Sequence, residues 1–90
     1  MTWQIKLDDS AVKQLRKLDK QIQNRIISYL KKIALENPRK QGKPLQTGNK
    51  ARIWRYRMGE YRIICRIIDN ELVVLVVAVG HRKEIYTYLP

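Results

Sequence analysis

The stretch Arg52-Ile-Trp-Arg-Tyr-Arg-Met-Gly-Glu-Tyr-Arg-Ile-Ile-Cys-Arg-Ile-Ile68 decides how this chain is read. Arg52, Arg55, Arg57, Arg62 and Arg66 are interleaved with Ile53, Trp54, Tyr56, Tyr61, Ile63 and Ile64. A charge run on a helix marks a solvated face. Here cations and apolar residues mix at strand-like spacing, which predicts β-strands over 52–57 and 61–68. Nine of the nineteen Lys and Arg lie between Arg39 and Arg66, where Glu60 is the only acid. Cationic side chains gathered on a sheet repel one another, so an anion is expected on that surface.

Downstream, Asp69-Asn70 between Ile68 and Glu71 predicts a two-residue hairpin turn. Leu72 to Val79 is almost continuously apolar and predicts a central strand covered on both faces. Gly80 ends it, and residues 84–89 read as a last edge strand or arm. Upstream, Thr2 to Leu7 alternates as a short strand, and Asp8, Asp9 and Ser10 offer helix N-caps. Val12, Leu15 and Leu18 mark a first helix ending near Asp19. Ile22, Ile26, Ile27, Leu30, Ile33 and Ala34 mark a second, running to about Glu36. Asn37-Pro38 stops it, because a residue before proline is pushed out of the α region. Residues 39–50, with Gly42, Pro44 and Gly48, read as a loop. The order β-α-α-β-β-β predicts an α+β fold, with a two-helix hairpin packed on one face of a small, mostly antiparallel sheet.

Ninety residues predict one domain, 1–90, with a core burying roughly 60–65% of the unfolded chain's surface. Hydrophobic residues are 44%, so the basic excess does not signal disorder. A net charge of +11 and a pI near 10.2 favour nucleic acid, an anionic membrane surface or an acidic protein partner. Nine positive and one negative residue place +8 of that +11 within 39–66. Cys65 is the only cysteine, so no internal disulfide can form, and its apolar setting predicts packing rather than nucleophilic chemistry. The first nine residues lack an apolar run, and the eight residues of 72–79 are too short to span a bilayer. These features predict a soluble, cytoplasmic protein.

A turn around Met58-Gly59 would pair Tyr56 with Tyr61, Arg55 with Arg62 and Trp54 with Ile63. The Asp69-Asn70 turn would pair Arg62 with Val77 and Ile64 with Leu75. Side chains alternate across a strand, so two faces separate. Trp54, Tyr56, Tyr61, Ile63, Cys65, Ile67, Val74, Val76 and Ala78 form an apolar face for the helices. Ile53, Arg55, Arg57, Glu60, Arg62, Ile64, Arg66, Leu75 and Val77 form the other. Directly opposed arginines are unfavourable by about 0.2–1 kcal/mol. Glu60 is expected to neutralise Arg57 and to leave Arg55 and Arg62 for an anion. Long arginines splayed into solvent are the plainer reading of the same pattern.

His81 follows Gly80 at the end of the apolar strand, beside Arg82 and Lys83, with Tyr86 four residues past Arg82. If the chain turns back over the sheet, His81, Arg82 and Tyr86 approach Arg55 and Arg62. Three cations, an imidazole and a phenol suit cleavage of RNA by its own 2′-hydroxyl. Arginines hold a phosphate bidentately, and His81 carries a proton near neutral pH. Tyr86 would stack on a base or orient the phosphate. Lys43, Lys50, Arg52 and Arg57 extend the surface as candidate RNA-binding residues. His81 reads equally as a surface histidine or a strand-end cap, and Tyr86 reads more readily as an edge-strand core residue. One His and one Cys with scattered acids give no metal-ligand cluster. No Gly-rich phosphate loop, Ser-His-Asp set or paired-carboxylate motif is present.

Three segments carry a resemblance: Ala11-Val-Lys-Gln-Leu-Arg-Lys-Leu18, Trp54-Arg-Tyr-Arg-Met-Gly-Glu-Tyr-Arg-Ile-Ile64 and Val76-Val-Ala-Val-Gly-His-Arg-Lys-Glu-Ile-Tyr86. With the β-α-α-β-β-β order, nearly the whole chain resembles the RelE/ParE superfamily of type II toxins, on its RelE side. The resemblance implies an mRNA interferase acting in the ribosomal A site, with no metal or other cofactor. It also implies a small antitoxin wrapped around the toxin in a hetero-oligomer, which the +11 charge predicts to be acidic over Arg55 and Arg62. The family's site residues fall by position on Arg55, Arg62, Arg82 and Tyr86. Where the family pattern has lysines on the first of these strands, this chain has Arg55 and, one place out of register, Arg52. Arginine, with a pKa above about 12, is a poor base. Proton transfer is therefore assigned to His81. The alternatives are a gyrase inhibitor of the ParE type, and a non-catalytic RNA- or ribosome-binding module.

Overall fold

Asp8 starts the helical layer: its Oδ1 accepts the Ala11 N–H at 2.8 Å, capping the first helix. A computed structural model describes residues 2–44 and 53–85. Within them lie β1 (Gln4–Leu7), α1 (Asp9–Arg16), α2 (Lys20–Leu35), β2 (Lys43–Pro44), β3 (Ile53–Met58), β4 (Tyr61–Ile68) and β5 (Val73–His81). The fold is α+β, as the hydrophobic spacing predicts. One strand is added: the two-residue β2 lies inside the stretch that reads as a loop, opposite Arg55 and Trp54.

The sheet order is β1-β5-β4-β3-β2, with β1 parallel to β5 and the other pairs antiparallel. The helices cover one face. Ala11, Ile26, Leu30 and Ile33 bury against Tyr56, Ile63, Cys65, Val74, Val76 and Val79. Each large apolar side chain removed from water there contributes about 1.5–3 kcal/mol. Ile27, grouped with that stripe by spacing, is instead 40% exposed, because it stands a third of a turn round α2 from the fully buried Ile26.

The strand register departs from expectation by two residues. Gly59 and Glu60 alone make the β3–β4 turn, so Arg57 faces Arg62, Tyr56 faces Ile63 and Arg55 faces Ile64. Gly59 has φ +59°, which a two-residue hairpin demands and glycine adopts without strain. A shift of two keeps each side chain on its expected face, so the division between apolar and cationic faces survives in β3 and β4. The β4–β5 connection is also different. A short 3-10 turn, Asp69–Glu71, replaces the two-residue turn, and Leu72 takes the left-handed conformation at φ +55°.

β5 holds the larger correction. Ile67 faces Val74 and Cys65 faces Val76, but Ile64 faces Ala78 and Arg62 faces Gly80, so Val77 is an extra residue in β5. Such a bulge swaps the faces of everything beyond it. Ala78 therefore leaves the helix face and packs with Ile64 and Ile85 on the opposite one. Val79 takes its place in the main core. The bulge lies just past Leu7↔Val76, where β1 ends and α1 takes over the flank. There Gln14 Oε1 accepts the Val79 N–H at 2.7 Å, satisfying a backbone donor that β1 no longer reaches.

The segment after α2 is pinned by aromatic donors. Tyr56 donates its hydroxyl to the Pro38 carbonyl at 2.6 Å, and the Trp54 indole donates to the Gln41 carbonyl at 2.6 Å. Gly42, at φ +74°, lies so close to β3 that a Cβ would stand 2.5 Å from the Arg55 carbonyl oxygen. Only glycine fits there. Arg39 grips Asp69 with two hydrogen bonds of 2.6 and 2.8 Å, tying this segment to the β4–β5 turn.

Candidate functional site

On the face away from the helices, Arg55, Arg57, Arg62, Arg82 and Lys83 line an open groove of about 480 Å³. β3 contributes Arg55 and Arg57, which share a side because they are two residues apart. β4 contributes Arg62, directly across from Arg57. The chain beyond β5 supplies the rest. Lys83 and Glu84 donate their N–H groups to His81 Nδ1 and the His81 carbonyl at 3.1 and 2.9 Å, forming a tight turn. Ile85 is then buried against Ile64 and Ala78, holding that turn down on the sheet.

Arg62 is the centre of the groove and its most constrained member. Its side chain sits in the hairpin end of the sheet, and the residue is only 6% exposed. Nη1 donates to the carbonyl oxygens of Gly59 and Tyr61, both at 2.9 Å. Among the described residues no carboxylate contacts it. A buried guanidinium held only by carbonyls, facing another arginine, is an unfavourable placement unless an anion joins it. Arg82 is arranged otherwise. Its N–H donates to the Glu60 carbonyl at 2.7 Å, and its Nε lies 2.5 Å from Glu60 Oε2. Glu60 thus neutralises Arg82 rather than Arg57, because the two-residue turn carries it to the end of β5.

The structure brings together Arg55, Arg57, Arg62 and Arg82. Lys43 stands opposite Arg55 on β2, at a neighbouring pocket. His81 is not in the groove. It faces Tyr61 across the ladder, and the two rings meet edge to face with centroids 5.8 Å apart. The physical reason is the bulge at Val77: without it the parity of β5 would aim His81 at the arginine face. Lys50, Arg52 and Tyr86 lie outside the described residues. Lys83 and the clamp from Glu60 are parts of the site that pattern reading does not reveal. The run His81-Arg82-Lys83 was the available signal for Lys83, but only the turn that follows β5 settles which of the three face the groove.

Burial pushes the Cys65 thiol well above its ordinary range, which removes it as a nucleophile. Among the described residues no three His, Cys, Asp or Glu side chains gather to hold a metal ion. A concave surface with four guanidinium groups and an ammonium suits a sugar–phosphate backbone.

Comparison with known proteins identifies the family. Residues 5–86 match the family described as the ParE toxin of the type II toxin–antitoxin system parDE. A RelE-like toxin protein of Escherichia coli is 33% identical over 98% of this chain and 92% of its own length. The mRNA interferase toxin RelE of Escherichia coli strain K12 is 28% identical, again over 98% and 92%. The solved toxin–antitoxin complex RelBE2 from Mycobacterium tuberculosis holds a chain that superposes with a TM-score of 0.81 at 28% identity, covering 91% of this chain and 93% of that one. With a family match across most of its length and RelE proteins among its relatives, the chain belongs to the RelE/ParE superfamily of toxins from type II toxin–antitoxin systems.

Proposed function

We propose that this toxin is an endoribonuclease that cleaves messenger RNA in the ribosomal A site, by attack of the substrate's own 2′-hydroxyl. The observation that carries the proposal is the buried Arg62 guanidinium, which among the described residues is held by carbonyls and no carboxylate, within a groove of cations. The relatives named as mRNA interferases support the same reading. In the reaction the 2′-oxygen bonds to phosphorus, its proton passes to water, and the bond to the 5′-oxygen breaks. The products are a 2′,3′-cyclic phosphate and a 5′-hydroxyl. Arg57, Arg62 and Arg82 hold the phosphate and stabilise the charge that grows on its oxygens. Lys83, whose ammonium can give up a proton where a guanidinium cannot, protonates the leaving oxygen. Side-chain cations supply the charge stabilisation, so the proposed reaction needs no metal.

The partner is a cognate antitoxin that covers the groove with Asp and Glu, in a hetero-oligomer. A similar chain is solved within a toxin–antitoxin complex, and the +11 charge favours an acidic occupant. The site of action is the cytoplasm, where the ribosomes are; among the described residues no helix is long and apolar enough to cross a membrane.

The test is mapping of transcript 5′ ends after brief induction, and in a purified system with and without ribosomes. New 5′-hydroxyl ends within codons, lost in Arg62→Ala, are expected. Because the matching family is named for ParE, gyrase inhibition is the second reading. Intact transcripts together with DNA breaks would favour it and overturn the first.

A further inference from the structure

Beside the groove, and sharing Arg55 and Arg57 with it, is a more enclosed pocket of about 210 Å³, closed by Tyr29, Gln41, Gly42 and Lys43. We propose that this pocket is a nucleotide subsite, taking the base next to the cleaved link of a single-stranded RNA and setting the sequence preference. The inference rests on the nuclease reading above and adds to it where the strand runs: off the end of the groove and over the edge of β3 toward α2.

The placement follows from the sheet. Among the described residues β2 pairs with β3 only at Arg55 and Trp54, so Arg57 lies beyond that pairing, and the pocket opens between it and Tyr29 of α2. Arg55 and Arg57 stand about 7 Å apart on one strand face, a spacing of the same order as neighbouring phosphates in an extended strand. A backbone held by both arginines delivers one base to the groove side and the next to the pocket. The pocket's size admits a single base.

Its lining is suited to reading that base. Tyr29 supplies an aromatic wall, of the kind on which single-stranded bases stack. The Tyr29 hydroxyl donates to Gln41 Oε1 at 3.0 Å, and this fixes the Gln41 amide with its nitrogen as the remaining donor. Gly42 keeps the wall close: any side chain there would collide with Arg55, Trp54 and Tyr56. Lys43 and the two arginines can only donate, and with the Gln41 amide nitrogen they make the lining rich in donors, while the Tyr29 and Gln41 oxygens keep lone pairs. A base edge made of carbonyl and ring-nitrogen acceptors is therefore favoured there over an amino edge.

The experiment compares cleavage-site sequences, from 5′-end mapping, for wild type, Gln41→Ala and Tyr29→Phe, with thermal melts to establish that each is folded. Wild type is expected to show a preference at one position flanking the cleaved link. Gln41→Ala should weaken it by about three- to tenfold, the worth of one hydrogen bond. Tyr29→Phe, which frees the Gln41 amide but keeps the ring, should weaken it in the same direction. Cleavage by folded variants with an unchanged preference overturns the subsite and leaves the nuclease reading standing. No cleavage by wild type overturns both.

Discussion

Glu60 holds Arg82 twice, once through its main-chain carbonyl at 2.7 Å and once through its carboxylate at 2.5 Å. The only acid within residues 39–66 is therefore spent on orienting one cation, not on diluting the whole groove. The carbonyl bond survives any side-chain change at position 60, so the two attachments can be separated by substitution.

Glu60→Gln removes a negative charge beside the phosphate site and loosens the Arg82 guanidinium. The two effects act on different constants. Attraction of RNA rises, so KM should fall, while a mobile Arg82 stabilises the transition state less well, so kcat should fall by about tenfold. Stability should change by no more than about 0.5 kcal/mol, because both partners are more than half exposed. Steady-state cleavage of a model transcript on ribosomes measures the split. An unchanged kcat would show that the pair does not orient Arg82.

Arg62 invites a prediction of opposite sign for stability and activity. Its guanidinium is buried without a carboxylate among the described residues, and replacing such a charge by an apolar group of similar length is often neutral or stabilising. Arg62→Met should therefore melt at or above the wild-type temperature. Loss of one preorganised cation from the transition state should lower kcat by about 10²–10³. A melt several degrees lower, with activity lost in parallel, would mean that Arg62 serves the fold.

The faces of β3 and β4 were legible because alternation is a parity, and the two-residue error in register left it intact. Arg55, Arg57 and Arg62 could be grouped on that basis alone. What lies past Val77 could not be read this way. The bulge that moves Ala78 and His81 to new faces depends on where β1 stops and on the Gln14 amide reaching Val79 from α1, contacts between residues far apart in sequence. Burial of Arg62 was equally hidden, since five arginines in the stretch look alike until the hairpin closes around one of them. The strand β2 escaped notice because two residues carry no periodicity.

His81 tests that bulge directly. Its ring packs on Tyr61 and its Nδ1 accepts the Lys83 N–H, so the imidazole supports the turn. His81→Asn keeps an acceptor near the Lys83 N–H. It should retain cleavage within about threefold and keep the shape of the wild-type pH–rate profile. Arg82→Ala, one residue on, should abolish cleavage. A pH–rate profile that loses a limb in His81→Asn would return the imidazole to the chemistry.

Salt dependence separates the cations that touch phosphate from those that merely repel one another. For a single strand the slope of log affinity against log salt is about −0.7 for each phosphate neutralised. If Arg55, Arg57, Arg62 and Arg82 each meet the backbone, an RNA carrying a 2′-deoxy substitution at the cleavage site, and so uncleavable, should bind with a slope near −3. Arg57 is exposed and faces Arg62, so its removal leaves the fold unstrained and relieves a like-charge pair. Arg57→Ala should weaken binding of every sequence by a similar factor and make the slope shallower by about 0.7. An unchanged slope would mean that Arg57 points past the RNA.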